Sequence, residues 1–189
     1  MIKDIEYKSK VHTTKAHEKC GNLYGGKPYA DAHLQPAVDV AEMFIHLIPV
    51  KHRKNVKGGI WQHDTIEDCG LTFNDVKNAT NEIVANIAYT CTNEKGRNRA
   101  ERANNKYYRG IRRTQFARFA KICDRIVNVQ FSLDTKSRMF MMYVNEQANF
   151  QKKLTDNWFE RIISIFSAPE PDYTEMWDYL NKLCNEKIK

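Results

Sequence analysis

The stretch FARFAKICDRIVNVQFSL, residues 116–133, has the apolar spacing of a helix in a protein core. Its apolar side chains recur every three or four residues, at Phe116, Phe119, Ala120, Cys123, Ile126, Val127 and Phe131. Thr114 precedes the stretch and is placed to cap its start. Asp124 lies among the apolar positions, where a carboxylate needs a charged partner or a metal. The stretch therefore predicts a helix that brings a polar group into the core.

The rest of the chain has the same helical character. Apolar residues recur at helical spacing, and no segment shows the alternation typical of a strand. Prolines, glycines and capping residues separate further helices, which we predict at about residues 4–20, 36–48, 54–69, 73–92, 98–109, 135–154 and 173–187. The sequence therefore predicts an all-α protein with a single domain over residues 1–189.

The composition excludes several classes of protein. Hydrophobic residues make up 42% and charged residues 28%, which is typical of a soluble globular chain. No apolar run is long enough to span a membrane. The N-terminus, MIKDIEYKSK, lacks the apolar core of a signal peptide, so we expect a cytoplasmic protein. The five cysteines are widely spaced, and we expect buried thiols in a reducing compartment, not a zinc site or a disulfide framework.

The segment WQHDTIEDC, residues 61–69, concentrates ionisable side chains among apolar ones. On a helix, His63 and Glu67 are one turn apart, as are Asp64 and Asp68, so all four share one broad face. Carboxylates this close repel one another unless a cation or protons intervene. An imidazole beside a carboxylate suits Mn²⁺, Fe²⁺ or Zn²⁺. The segment predicts part of a metal site whose remaining ligands come from elsewhere in the chain.

Two side chains are candidates for those remaining ligands. Asp124 is the first, with a salt-bridged position at a helix edge as the alternative. His33, ahead of the helix that begins near Pro36, is the second, with a surface loop position as the alternative.

The order of these residues resembles the HD phosphohydrolase superfamily, whose pattern is a His, a His-Asp pair and a later Asp in a K-x-x-D-R-x-x-N helix. HDTIEDC, residues 63–69, resembles the HDT-x-ED motif of (p)ppGpp hydrolases, the hydrolase half of RelA/SpoT-type enzymes and the small alarmone hydrolases. AHEKCGNLYGGKPYADAHLQPAVDVA, residues 16–41, and KICDRIVNV, residues 121–129, are similar to flanking family motifs. The chain differs in one extra residue between Tyr29 and His33, in Leu34 where Pro is usual, and in Cys69 where Thr is usual.

The resemblance implies a single HD-domain helical bundle, with the motifs at about residues 10–135 and C-terminal helices over residues 136–189. It implies that His33, His63, Asp64 and Asp124 bind one divalent metal, with Mn²⁺ expected and Fe²⁺ or Zn²⁺ as alternatives. It also implies that Glu67 and Asp68 stay off the metal. They would position and deprotonate the attacking water, or protonate the leaving oxygen.

A basic run offers contacts for an anionic substrate. The net charge is +7, and nine basic residues lie between Lys95 and Arg118. If one helix persists there, they form a stripe of Arg99, Arg102, Lys106, Arg109 and Arg113; a solvated helix face is the alternative. NRAER, residues 98–102, resembles a segment at this place in the hydrolase family, which favours Arg102 and Lys106. The other candidate substrate-binding residues are Lys27 and Tyr29 in the glycine-rich loop, and Asn128 one turn after Asp124.

Three functions are compatible with these observations. The first is a metal-dependent (p)ppGpp 3′-pyrophosphohydrolase, which releases pyrophosphate and GDP or GTP. The second is an HD phosphohydrolase acting on another nucleotide: a nucleoside phosphate, an NADPH-type 2′-phosphate or a cyclic nucleotide. The third is a non-catalytic nucleic-acid-binding protein, which leaves the ordered His and Asp set unexplained. We therefore expect an anionic nucleotide as the partner, without nucleic acid or membrane.

Aromatic residues are frequent in the C-terminal third of the chain. We interpret them as core or lid packing, with the surface of a homodimer as the alternative. They are Phe150, Trp158, Phe159, Phe166, Tyr173, Trp177 and Tyr179.

Overall fold

Helices form most of the structure, so the predicted all-α fold is confirmed. The computed structural model describes residues 4–155 and 170–186. Two strands of two residues each, β1 (Leu23–Tyr24) and β2 (Lys27–Pro28), form a short antiparallel hairpin that the sequence did not predict. A π-helical turn, Ala30–Leu34, leads into the second helix. The α-helices are α1 (Ile5–Cys20), α2 (Gln35–Met43), α3 (Arg53–Gln62), α4 (Thr65–Cys69), α5 (Phe73–Ala79), α6 (Glu82–Cys91), α7 (Arg99–Arg102), α8 (Asn105–Arg113), α9 (Ala117–Asp134), α10 (Met139–Thr155) and α11 (Thr174–Cys184).

Helix α9 lies at the centre of the fold and contacts α2, α3, α6, α8, α10 and α11. Its side chains Phe119, Ile122 and Ile126 are almost inaccessible to solvent. Burial of a large apolar side chain contributes roughly 1.5–3 kcal/mol to folding. Because α9 is packed on several sides, Asp124 at its middle is carried into the core.

The predicted cap of α9 is wrong. Thr114 ends α8, and its hydroxyl oxygen lies 2.9 Å from that of Thr90. Helix α9 begins after Phe116, which has a left-handed backbone with φ of 64°. The backbone N–H of Phe116 donates to Oε1 of Glu170 at 2.8 Å. A carboxylate distant in sequence therefore replaces the expected local cap.

Three segments predicted as single helices are each divided in two. The break between α3 and α4 falls at His63 and Asp64. The side chain of Asn81 starts α6, and that of Asn104 starts α8, by accepting hydrogen bonds from backbone N–H groups two or three residues later. An Asn side chain competes for the backbone hydrogen bonds of a continuing helix and favours a new start. The division at Asn104 means that the predicted basic stripe is not one continuous helical face.

Two adjacent glycines allow α3 to pack closely between α1 and α6. A Cβ added at Gly58 would lie 2.8 Å from Oγ of Ser9. A Cβ added at Gly59 would lie 2.7 Å from Cγ2 of Ile87. Such distances are too short for a real contact, so both positions require glycine for the observed packing. This close approach fixes α3, which ends directly before His63.

In the part of the chain that the structure describes, none of the helices combines the length and apolar character needed to cross a membrane.

The C-terminal aromatic residues divide between core positions and positions outside the described residues. Phe150, Tyr173 and Trp177 are buried, and the rings of Phe150 and Trp177 are 5.9 Å apart in an edge-to-face arrangement. Tyr179 is half-buried against the core. The predictions for Trp158, Phe159 and Phe166 fall within residues 156–169, which lie outside the described residues.

Candidate metal centre

His63 is positioned by the break between α3 and α4. Its Nδ1 lies 2.7 Å from the carbonyl oxygen of Ile60, which can only accept, so Nδ1 carries the proton. The other ring nitrogen, Nε2, faces the cluster and lies 2.9 Å from Oδ2 of Asp64. A carbonyl that holds one imidazole nitrogen leaves the other as the ligand atom, as is usual for metal-binding histidines.

His33 reaches the same cluster from the π-helical turn before α2. Its Nε2 lies 3.3 Å from Nε2 of His63 and 3.3 Å from Oδ2 of Asp64. His33, His63 and Asp64 each present one ligand atom, and these atoms lie within 4.8 Å of one another. Both imidazoles are buried, at about 1% exposure. These three side chains form a group that can bind a metal ion.

Asp124 borders this group from α9. Its Oδ1 lies 3.4 Å from Nε2 of His33 and 3.6 Å from Nε2 of His63. Its Oδ2 lies 2.8 Å from Nζ of Lys121, one turn earlier on the same helix. Nδ2 of Asn128 also donates to Asp124 Oδ1. Asp124 is thus ion-paired, which agrees with the alternative prediction of a salt bridge. It lies in the core beside the imidazoles, however, and not at a helix edge.

The electrostatics of the cluster favour ionised carboxylates. Burial opposes the charged form of Asp64, but the neighbouring His63 and hydrogen bonds from both imidazoles outweigh it and hold the Asp64 pKa well below its usual range. Burial also opposes ionisation of Asp124, whereas Lys121 and the imidazoles hold its pKa well below the usual range. The same contacts raise the pKa of His33 and His63 above the usual value despite burial. The carboxylates are therefore in their ligand form, and protons on the imidazoles compete with a metal.

Glu67 and Asp68 lie beside the cluster on α4 and have different surroundings. Both carboxylate oxygens of Glu67 accept a hydrogen bond from Nδ2 of Asn93 at 3.1 Å. Oε2 of Glu67 also accepts one from the backbone N–H of Asn93 at 3.1 Å. Burial, followed by repulsion from Asp64 and Glu67, raises the pKa of Asp68 to about 6. Glu67 is therefore anchored, while Asp68 is able to exchange a proton near neutral pH.

The cluster opens into a cleft of about 490 Å³. Its lining includes His33, Asp64, Glu67, Asp68 and Asp124. Cationic side chains line the same cleft: Arg99, Arg102, Lys121, Arg125 and Lys153. The cleft thus combines a group that can bind a metal with a surface that can bind anions.

The cations of the cleft differ in how far they are neutralised. Glu146 of α10 accepts from Arg99 Nε at 3.1 Å and from Arg125 NH1 at 3.4 Å. The Arg125 guanidinium also lies over the ring of Phe150, at 4.1 Å from its centroid. Among the described residues, Arg102 and Lys153 have no carboxylate partner. These two remain available for an anionic ligand.

The predicted substrate contacts divide into two groups. Tyr29, Arg102 and Asn128 line the cleft. Lys27 is exposed on the hairpin, and Lys106 pairs with Glu94 at 2.9 Å; neither belongs to the lining of the cleft.

Tyr29 has a role that the sequence did not indicate. Its hydroxyl donates to Oδ2 of Asp64 at 2.6 Å, and its ring stacks on His17 at 4.5 Å between centroids. Burial and the nearby Asp64 charge raise its pKa, so it keeps this proton. Tyr29 therefore orients one carboxylate of the metal-binding group.

Several residues of the site were missed by the sequence analysis. Tyr24 of the hairpin donates to Oδ1 of Asn128 at 2.8 Å, and its ring lies 4.8 Å from that of His33. Asn93 and Glu146 reach the site from parts of the chain far from its motifs. For Lys121 a signal existed, because its spacing of three residues from Asp124 on a helix brings the two side chains together.

No protein-family model and no curated protein matches this chain.

Proposed function

We propose that the chain is a metal-dependent phosphohydrolase of the HD-domain type, which releases pyrophosphate from the 3′ position of (p)ppGpp. The observation that carries this proposal is the cleft, which the His33, His63 and Asp64 group shares with Glu67, Asp68 and several basic side chains. Hydrolysis of a phosphate ester needs a site for the cation, a group that handles protons and a surface for the anion. Candidates for all three roles lie around one cavity.

The donor set suits a divalent transition metal. Two imidazole nitrogens come from His33 and His63, and carboxylate oxygens come from Asp64 and Asp124. Mixed nitrogen and oxygen donors fit Mn²⁺, which we propose, as well as Fe²⁺ or Zn²⁺. Such an ion, when bound, supplies Lewis-acid activation of water and of a phosphate oxygen. Hydrogen bonds orient two of these ligands: the Tyr29 hydroxyl holds Asp64, and the Ile60 carbonyl holds His63.

Asp68 is the proposed proton-transfer residue. A general base works best when its pKa lies near the working pH. Before a metal is bound, the pKa of Asp68 is raised to about 6, and its carboxylate lines the cleft. In its charged form it takes the proton of the attacking water, and in its protonated form it gives that proton to the leaving oxygen. Glu67, anchored by Asn93, keeps negative charge beside Asp68 and shapes the position of the water.

The basic side chains that line the cleft support a substrate with several phosphate groups. Arginine binds phosphate through a bidentate fork, and Lys153 adds a point charge. A volume of about 490 Å³ is large enough for a nucleotide. Arg102 and Lys153 have no acidic partner among the described residues. They can therefore bind phosphate without breaking an existing ion pair.

The π-helical turn supports the family resemblance. The HD-type pattern has one residue fewer between Tyr29 and His33 than this chain. A π-helical turn contains about one residue more than an α-helical turn. The turn Ala30–Leu34 therefore absorbs the extra residue, and His33 still reaches His63.

A different nucleotide is the second candidate substrate. Lys27 and Lys106, which the family pattern suggested as contacts, lie outside the lining of the cleft. Glu146 also neutralises two of the arginines. Both observations favour a substrate with fewer phosphate groups, such as a nucleoside phosphate, an NADPH-type 2′-phosphate or a cyclic nucleotide.

The test is to remove bound metal, restore Mn²⁺ and follow ppGpp by anion-exchange chromatography. We expect release of GDP and pyrophosphate that depends on the metal, that Asp64→Ala abolishes and that the control Asp39→Ala retains. Asp39 is an exposed carboxylate on α2, away from this cleft. Metal binding without turnover of ppGpp would transfer the proposal to the second candidate. Failure to bind any divalent metal would overturn both.

A further inference from the structure

Two cysteines that are far apart in sequence meet outside the cleft. Cys20 is the last residue of α1, and Cys69 is the last residue of α4. The Sγ atom of Cys20 lies 4.0 Å from the carbonyl oxygen of Cys69, so the two residues are neighbours across the ends of the two helices. The predicted burial of the cysteines is confirmed for Cys91, Cys123 and Cys184. Cys20, by contrast, is exposed and Cys69 is half-buried, so a reagent in solvent reaches the Cys20 thiol more easily than the Cys69 thiol.

The two helices are held in a fixed relation next to this pair. The hydroxyl oxygens of Thr13 on α1 and Thr65 on α4 lie 2.7 Å apart and are buried. Beyond the cysteines, Gly21 and Gly70 both have left-handed backbones, and a Cβ added at either would meet nothing within 4 Å. The helices therefore hold the two cysteines near each other, and the space beside the glycine that follows each helix is open.

We propose that Cys20 and Cys69 form a reversible disulfide by exchange with low-molecular-weight disulfides. The Cys20 thiolate attacks a sulfur of the small disulfide, forms a mixed disulfide and expels one small thiolate. The Cys69 thiolate then attacks the sulfur of Cys20 and expels the second small thiolate. The two protons lost by the cysteines end on the two small thiols. The protein is oxidised to the disulfide, and one small disulfide is reduced to two thiols.

The surroundings of the two thiols set the order of these steps. Exposure makes Cys20 the first to react. Burial, together with the adjacent Cys20, raises the pKa of the Cys69 thiol to about 12. Cys69 is therefore a poor nucleophile toward a disulfide in solution. It reacts once Cys20 carries the mixed disulfide and its sulfur lies nearby.

The pair lies next to, but outside, the cleft. Nδ2 of Asn22 donates to the carbonyl oxygen of Asp68 at 3.4 Å and lies 3.7 Å from Sγ of Cys69. A disulfide would thus join the end of α1 to the residue that follows Asp68. Formation of the bond does not depend on the proposed hydrolase activity and is tested without it.

The experiment treats the reduced full-length protein with oxidised glutathione and counts thiols in denaturant. We expect the count to fall from the five cysteines of the chain to three, with a Cys20–Cys69 linkage in peptide mass mapping and full recovery on addition of dithiothreitol. Cys69→Ser is expected to retain one glutathione on Cys20. Cys20→Ser is expected to remain unmodified, because Cys69 does not react first. Cys184→Ser, altered at a cysteine of α11, is the matched control and should still form the linkage.

Three results would overturn the proposal. One is the accumulation of separate glutathione adducts on Cys20 and Cys69 in the unaltered protein. Another is a linkage that involves a different cysteine or a second molecule. The third is a thiol count that stays at five after prolonged exposure. Each of these outcomes leaves the proposed hydrolase activity unaffected, so the two proposals fail independently.

Discussion

Lys121 and Asp124 form a largely buried ion pair on α9, with Nζ of the lysine 2.8 Å from Oδ2 of the carboxylate. The other oxygen of Asp124 faces the imidazoles of His33 and His63. Asp124 therefore has cationic or protonated groups on both sides. Burial opposes the charge of Lys121, but Asp124 outweighs this effect and keeps the lysine pKa well above its usual value. Lys121 thus holds Asp124 in the ionised form that a metal ligand needs.

Replacement of this lysine should destabilise the protein, and a metal should offset part of the loss. Lys121→Met removes the charge and keeps much of the apolar stem. Breaking a buried pair by removing one partner costs about 3–5 kcal/mol, because the other charge stays buried. Because the two imidazoles and Asn128 remain beside Asp124, we expect a decrease below this figure in the free energy of unfolding without metal, and a smaller decrease with Mn²⁺. Urea denaturation with and without Mn²⁺ measures both values.

An exposed lysine pair provides the matched control. Lys77 lies 3.1 Å from Glu82, and both side chains are largely exposed. Pairs of this kind contribute at most about 1 kcal/mol. Lys77→Met should therefore change the free energy of unfolding little, with or without Mn²⁺. Equal losses in the two variants would contradict the role assigned to Lys121.

His17 should make the stability depend on pH. It is buried under Tyr29, and burial lowers its pKa to about 4, against about 6.5 in an unfolded chain. Between these values the unfolded state binds more protons than the folded state, so stability rises with pH. The contribution of neutral His17 is present above about pH 6.5 and is lost as the pH falls toward 4. We expect this loss to approach about 3 kcal/mol, because one unit of pKa difference corresponds to about 1.4 kcal/mol.

The measurement compares the unaltered protein with His17→Phe by urea denaturation at several pH values. The variant keeps an aromatic ring against Tyr29 but cannot bind a proton. Other titrating groups affect both proteins alike, so the difference between them isolates His17. Parallel stability curves across the acidic range would show that His17 does not titrate as its burial implies.

Two glycine substitutions should have opposite effects on stability. Gly59→Ala places a methyl group 2.7 Å from Cγ2 of Ile87, and overpacking of a core costs about 1–3 kcal/mol. Gly110→Ala in α8 meets only Thr90, at 3.7 Å, which is an ordinary contact. Because alanine favours helix over glycine, this second change should stabilise the protein by about 0.5–1 kcal/mol. Thermal unfolding of both variants checks the prediction, and Ile87→Val should relieve part of the cost at Gly59.

The fold could be predicted because helical periodicity is a property of neighbouring residues. The adjacency of His63 and Asp64 was likewise visible locally, and it indicated a metal site. The helix breaks were missed because Asn81 and Asn104 act through capping, which competes with an otherwise continuous apolar pattern. The neutralisation of Arg125 by Glu146 arises from the packing of α9 against α10, and no sequence spacing encodes it.

The proposed roles around the cleft separate metal binding from proton transfer. Asp68 lies outside the group of His33, His63 and Asp64 whose ligand atoms converge. Asp68→Asn keeps the size of the side chain and removes its ability to exchange a proton. We expect metal stoichiometry to stay unchanged and kcat for the nucleotide substrate to fall about 100-fold or more, the usual contribution of a general base.

The pH profile distinguishes this role from a structural one. Activity should decline as the pH falls through the pKa of Asp68, which is about 6 before any metal is bound and lower beside a bound cation. In Asp68→Asn, the remaining activity should be low and should no longer decline as the pH falls through this range. Asp31→Asn, which alters an exposed carboxylate of the π-helical turn, should keep both. An Asp68→Asn variant with the unaltered pH profile would assign proton transfer to another group, with Glu67 as the next carboxylate to replace.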